Sequence, residues 1–415
     1  MKMWSKKSRE EIKNAIQNAL VENVNYQKES IIGLPASYLD EKVFNQDRFN
    51  LEEAPFLVTL ISNPNHIGCH TLGSSESFFS GTQAIEKDLI SICAEDILKG
   101  DAGQFDGYVS SGGTEANLQA LWVYRNYFNN IENTSNSDIA ILCSTDSHYS
   151  MDKGANLLSI SIFKIEVDPE TREVSTVEIR KTIQQAKLQG KNKFIVVVNM
   201  MTTMFGSVDN VQCYIDALLE EKCDFKIHID AAFGGFYFPF SQDQDSMMNF
   251  KNPLISSITL DAHKMAQAPY GTGIFIIRKN LIHFTQTKEA SYVEGEDCTL
   301  IGSRSGANAI AIWMILSTYG PHGWAEKILV LQKRTELICE QLEKRKVEFF
   351  RHPFSNIITL KKKYLSEEII HKFGLIPDNH SNPEWYKIVI MDHVTMEKLN
   401  PFIEMLSDNL SKITI

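Results

Sequence analysis

The 415-residue sequence has no CxxC pair, and its seven cysteines (Cys69, Cys93, Cys143, Cys213, Cys223, Cys298 and Cys339) are scattered and odd in number. That spacing indicates neither a metal site nor a disulfide framework, and it fits a reducing, cytoplasmic compartment. No apolar run approaches the length of a membrane span, and the charged N-terminus, MKMWSKKSREEIKNAI, lacks the continuous apolar stretch of a signal peptide. Basic residues are outnumbered, 41 Lys and Arg against 52 Asp and Glu, for a formal net charge of −11. The balance disfavours nucleic acid and anionic membranes as partners. A small anionic substrate stays open, because the nearest groups set the field of a site. The chain also lacks internal repeats, low-complexity tracts, a P-loop and the GxGxxG dinucleotide fingerprint.

What is present is an ordinary globular composition, 43% hydrophobic and 22% charged, in a chain long enough for two domains. Residues 1–60 read as a helical segment followed by an irregular arm. The polar loop from Asn63 to Ser80 is too long for a mere connector, and such loops usually carry function. Over 61–320, helical stretches alternate with short apolar bursts: IAILCS (139–144), FIVVVNM (194–200), FKIHID (225–230), SSITLD (256–261) and GIFIIR (273–278). Short β-branched runs between helices predict an α/β domain, a mostly parallel sheet that binds ligands beyond the carboxyl ends of its strands. After Gly320-Pro321 the pattern changes to a long amphipathic helix, three strand-like segments and a final helix, a smaller α+β domain over 321–415.

Four segments at predicted strand ends could carry chemistry. In SSGGTEAN (110–117), Gly112-Gly113 and then Thr114 open a helix, so backbone N–H groups and the helix dipole would hold an anion; an ordinary turn capped by Thr114 is the plainer reading. In HIDAAFGGF, Asp230 ends an apolar strand, suited to holding a pyridine nitrogen protonated, although a turn aspartate also fits. In LDAHKM, Lys264 lies among apolar residues, and a desolvated lysine readily offers the neutral amine that forms a Schiff base. His263 beside it would bond a phosphate; a lysine reaching from a strand edge into solvent is the alternative. In STDSHYS, His148 would stack on an aromatic ring or serve structure alone. Together, a phosphate cradle, an aromatic platform, an anionic partner for a ring nitrogen and a buried lysine describe pyridoxal 5'-phosphate.

At these residues the sequence resembles the group II pyridoxal phosphate-dependent amino acid decarboxylases, clearly over about residues 60–320. SGGTEAN, HIDAAFGGF, DAHK and GSRSGA carry the resemblance, the last two nearest the tyrosine/aspartate branch. It implies the fold-type I transferase fold: a mostly parallel seven-stranded sheet in a large domain, plus the small C-terminal α+β domain. It also implies a homodimer with active sites at the subunit interface. Lys264 would hold the cofactor, Asp230 would pair with the ring nitrogen, and His148 and Ala232 would face opposite sides of the ring. Gly113, Thr114 and His263 would bind phosphate. The Gly-Thr-Thr segment of the group appears as Met201-Thr202-Thr203, with Thr203 near the cofactor or the substrate carboxylate. Tyr292, in SYVEGEDCTLIGSR, stands at the interval before Gly302 where the glutamate enzymes carry the loop tyrosine that returns a proton after CO2 leaves.

The reaction so implied is α-decarboxylation of an L-amino acid to its amine, with aspartate, glutamate and tyrosine or another aromatic substrate all open. His66, His70 and Ser75 would shape the substrate end of the pocket, and Arg304 is a candidate cation for an acidic substrate, for phosphate or for an interface. A pyridoxal-dependent carbon–carbon or carbon–sulfur lyase and a non-catalytic protein of the same fold are the alternatives.

Overall fold

The computed structural model describes residues 3–25, 54–67, 77–241, 247–288 and 296–413, with backbone alone at 65–67 and 412–413. Its strands begin with β1 (Asn65–Ile67), β2 (Phe105–Ser110), β3 (Ile139–Ser144), β4 (Ser161–Ile165) and β5 (Lys193–Asn199). They continue with β6 (Asp224–Ala231), β7 (Ile255–Asp261), β8 (Gly273–Arg278) and β9 (Ser303–Ser305). The last four are β10 (Phe349–Phe350), β11 (Ile357–Lys361), β12 (Ile376–Pro377) and β13 (Trp385–Val389).

Seven of these form one sheet in the order β2-β8-β7-β6-β5-β3-β4. Every pairing is parallel except the two that β8 makes, with β2 and with β7. Sequence explains the burial. IAILCS is buried along its whole length, as is ISSITLD, and runs apolar on both faces must be covered on both faces. Each fully buried Ile, Leu or Val contributes about 1.5–3 kcal/mol. Helices Gly113–Glu132, Ser150–Leu158, Thr176–Leu188 and Val211–Glu220 connect its strands and provide cover.

The five predicted apolar bursts all become strands of this sheet, each within a residue of its expected bounds. One strand went unpredicted: β4, SIFKI, is an edge strand and only partly buried, so its sequence carries no continuous apolar run. The helix Ser80–Ser91 widens at its end into a π-helical turn, Ile92–Ile97.

A second, antiparallel sheet has the order β10-β11-β13-β12 and packs its own apolar cluster around Ile358, Leu360, Tyr386, Phe402 and Leu406. It is reached through the helix Gly306–Lys344, which is kinked where Gly320 leaves helical geometry just before Pro321. A two-stranded ladder joins β1 to β9. No helix of the described residues is long and apolar enough to cross a membrane.

Candidate active site

Asn199, Asp230 and Asp261 end or nearly end β5, β6 and β7, so the parallel sheet delivers three polar side chains to one edge. They line a cavity of about 320 Å³ with Gly112, Gly113, Thr114, His148, Met201, Thr203, Ala232, His263 and Lys264. Of the residues expected at the site, all those that the cofactor reading names are therefore brought together. Tyr292, His70 and Ser75 lie outside the described residues, and of His66 only the backbone, in β1, is described.

The anion cradle forms where β2 turns into the helix Gly113–Glu132. Gly112 adopts φ 152° and ψ 172°, backbone that only glycine adopts readily. A Cβ on Gly113 would stand 3.1 Å from the Ala232 Cβ and 3.2 Å from Asp261 Oδ2, so a side chain there would push the cavity wall. Thr114 lies inside the first turn and does not cap the helix; Gly112 stands at the cap without a side-chain bond. The Gly113 N–H donates to Asp261 Oδ2 at 3.2 Å, so its share in an anion site is clearance rather than donation. Glu115 braces the turn from behind, accepting from the Ser111 N–H at 2.7 Å and from the Tyr108 hydroxyl at 3.0 Å.

Asp261 organises the amine end. Its Oδ1 is 2.8 Å from His263 Nδ1 and its Oδ2 is 3.6 Å from Lys264 Nζ. Burial pushes its carboxyl above the usual range, opposed by Lys264, His263 and the Gly113 N–H. Lys264 itself departs from expectation: its side chain is 31% exposed, so it is half-buried beside a carboxylate rather than buried in apolar surroundings.

His148 accepts at Nδ1 from the Ser150 N–H, 3.2 Å away, so its neutral ring carries the proton on Nε2. Burial lowers its pKa, against the pull of Asp230 and together with the charge of Lys264. Asp230 accepts from Asn117 Nδ2 at 2.9 Å and from the Ala232 N–H at 3.1 Å. The Thr203 carbonyl accepts from Lys387 Nζ at 2.9 Å, a contact from β13 that no local motif could have signalled. Burial first, then the charge of Lys264, lowers the Lys387 pKa.

Arg304 is not among the residues lining the cavity. It is buried, with Nη1 2.7 Å from Glu86 Oε1 and 3.0 Å from the Val109 carbonyl. Among the described residues one group of possible metal donors, His283, Glu296 and Cys298, falls within 4.8 Å, and none of the three lines the cavity.

The donor set suits pyridoxal phosphate. A glycine cradle lies at a helix N-terminus, and a neutral imidazole, a carboxylate and an amine line the same cavity. Comparison with known proteins agrees. Residues 83–358 match the pyridoxal-dependent decarboxylase conserved domain. The chain is 47% identical to a tryptophan decarboxylase of Clostridium sporogenes over 405 residues, 97% of each chain. It is 28% identical to a probable L-tyrosine/L-aspartate decarboxylase of Methanococcus maripaludis over 80% of this chain and 85% of that one. An L-methionine decarboxylase from Streptomyces sp. 590 shares the fold with a TM-score of 0.71 at 18% identity, over 96% of this chain and 93% of that one. With cradle, platform, carboxylate and amine at one sheet edge, and likeness extending over nearly its whole length, the chain belongs to the pyridoxal-dependent decarboxylases, enzymes that remove CO2 from amino acids with pyridoxal 5'-phosphate.

Proposed function

We propose that the substrate is an aromatic L-amino acid, tryptophan first, with the corresponding arylalkylamine as product. The likeness to a tryptophan decarboxylase over 97% of both chains carries this reading. The cavity supports it: among the described residues no arginine lines the walls to receive a second carboxylate, while Met201 and Phe233 offer apolar surface.

Bound pyridoxal phosphate supplies an electron sink for the pair left at Cα when CO2 departs. Lys264 would hold the cofactor through its amine, and Asp230 would pair with the ring nitrogen. His148, with its proton on Nε2, and Ala232 would face opposite sides of the ring. Thr114 and His263 would hold phosphate, with Gly113 giving it room. Thr203 orients the substrate carboxylate, and His66, His70 and Ser75 bound the side-chain end. Tyr292 would return the proton to Cα as a general acid. The working unit is a homodimer with each site at the subunit interface, in the cytoplasm, a location supported by six free cysteines among the described residues.

The test is to incubate holoenzyme with each proteinogenic amino acid, quantify CO2 and identify the amine by mass spectrometry. Tryptophan is expected to lead, with tyrosine and phenylalanine behind it and the acidic amino acids at background. Greatest release from aspartate or glutamate would overturn the substrate assignment.

A further inference from the structure

Behind Asp230 a line of buried polar side chains runs into the large domain, and the roles given above use none of them. Asn117 Nδ2 donates to Asp230 Oδ2 at 2.9 Å. Asn117 Oδ1 is 3.0 Å from His228 Nε2, His228 Nδ1 is 2.7 Å from Ser257 Oγ, and the Tyr124 hydroxyl bonds Ser257 Oγ. All four of these residues are at most 1% exposed.

The direction of every bond follows from chemistry. An ionised carboxylate only accepts, so the Asn117 amide nitrogen must face Asp230 and its oxygen must face His228. His228 must then donate from Nε2. Burial drives its pKa down to about 4, so the ring is neutral and Nδ1 is left as an acceptor. Ser257 therefore gives its proton to Nδ1, and Tyr124 gives its own to Ser257. Four hydrogen bonds in series run one way, toward Asp230, and bonds so aligned polarise one another. Thr259 Oγ1, 3.2 Å from Nε2, takes a second share of the same N–H.

Asn117 also branches. Its Nδ2 donates to Ser150 Oγ at 3.1 Å, and Ser150 Oγ is 2.9 Å from His148 Nδ1. Having accepted from Asn117, the Ser150 hydroxyl gives its proton to Nδ1, the arrangement that leaves the His148 proton on Nε2. One amide thus reaches both residues that face the cofactor ring.

We infer that Asn117, backed by the relay Tyr124–Ser257–His228, is a positioning device that holds Asp230 as an oriented anion toward the ring nitrogen and fixes the Nε2–H tautomer of His148. The inference rests on the proposed pairing of Asp230 with that nitrogen. A merely structural network would satisfy buried polar groups without altering the electronics of the cofactor, and that difference is measurable.

The experiment compares His228→Leu, which deletes the donor to Asn117, with His228→Gln, whose amide N–H restores one. The readouts on holoenzyme are the pH midpoint of the absorbance of bound cofactor and separate kcat and KM values for the best substrate of the screen. His228→Leu is expected to move the midpoint by about half a pH unit or more and to lower kcat roughly tenfold, with KM within about threefold. His228→Gln should recover most of both. Ser257→Ala, one bond further from Asp230, should move the midpoint less but in the same direction, and it serves if the leucine variant does not fold. An unmoved midpoint in the His228→Leu or Ser257→Ala protein, or equal impairment by leucine and glutamine, would overturn the relay. Asp230→Asn separates the two claims. If it leaves the midpoint unmoved, the pairing itself fails; if it moves the midpoint while the relay variants do not, the relay alone falls.

Discussion

Arg304 can be tested as a structural cation rather than a substrate ligand through its partner. Its side chain is 5% exposed and that of Glu86 is 0% exposed, with 2.7 Å between Nη1 and Oε1. Glu86 Oε1 also accepts the Val109 N–H at 2.7 Å, and the guanidinium lies 4.8 Å from the Tyr108 ring centroid. Arg304→Met would leave a carboxylate in the core without its counter-charge, a loss of about 3–5 kcal/mol. Glu86→Met, the reciprocal change, leaves the guanidinium in the same position and should cost a similar amount. If the two effects simply added, the double variant would lose about 6–10 kcal/mol. Removing both charges together instead leaves no buried ion uncompensated and costs chiefly hydrogen bonds, those of the Val109 backbone groups among them, about 1–3 kcal/mol.

The double variant should therefore be more stable than either single one. Denaturant unfolding followed by intrinsic fluorescence gives the four stabilities of the cycle, with a coupling of several kcal/mol expected. A double variant as unstable as the sum of the singles would refute the paired-core argument. So would an Arg304→Met protein that unfolds like the unmodified enzyme while its KM for the amino acid rises, which is the signature of a substrate ligand.

Two further outcomes follow from particular distances and charges. Gly113→Ala places a Cβ 3.1 Å from Ala232 and 3.2 Å from Asp261 Oδ2. Overpacking of about 1–2 kcal/mol should weaken pyridoxal phosphate binding on the order of tenfold, read by fluorescence titration of the apoenzyme; unchanged affinity would remove Gly113 from the cradle. His228, whose pKa falls from 6.5 to about 4 through burial, binds its proton more readily in the unfolded chain. Its contribution is complete above pH 6.5 and is lost as pH falls toward 4, by roughly 3 kcal/mol. His352, also lowered to about 4, acts in the same window, and Asp209, raised to about 6 by burial, acts against both. The informative quantity is thus the stability of the unmodified enzyme minus that of His228→Gln, which should fall steadily as the pH drops from 6.5 to 4; a constant value would contradict a neutral His228.

The parts of this site that the sequence disclosed are those in which chemistry and local structure share a few consecutive residues. Gly112, Gly113 and Thr114 are legible because a strand, a turn and a helix start are compressed into one segment, and Asp230 and Lys264 because each lies at the end of an apolar run. Partnerships across the fold leave no such trace. Asn117 was in view within SGGTEAN, but its function depends on His228, 111 residues away. Glu86 and Arg304 are separated by 218 positions, so a buried pair looked like a free cation. Asp261 stands out only through its contacts with His263, Lys264 and the Gly113 N–H, which make it a junction.

Met201 shows the opposite case, in which a departure from a local rule was visible and only the fold gives it meaning. The segment holds methionine where the Gly-Thr-Thr pattern it resembles has glycine, and the structure retains the backbone glycine would favour, with φ 69°. The turn enforces that angle. Met200 bridges to Val208, the Thr202 N–H bonds the Ser207 carbonyl at 2.9 Å, and the Gly206 N–H bonds the Thr202 carbonyl at 2.9 Å. A side chain in the left-handed region costs roughly 1–2 kcal/mol, and this one is 3% exposed in the cavity wall. Strain of that size held against the reacting space is better explained by what the side chain does to the pocket than by what the backbone needs, since glycine would satisfy the backbone without strain. The thioether gives the cavity an apolar and adaptable stretch of wall.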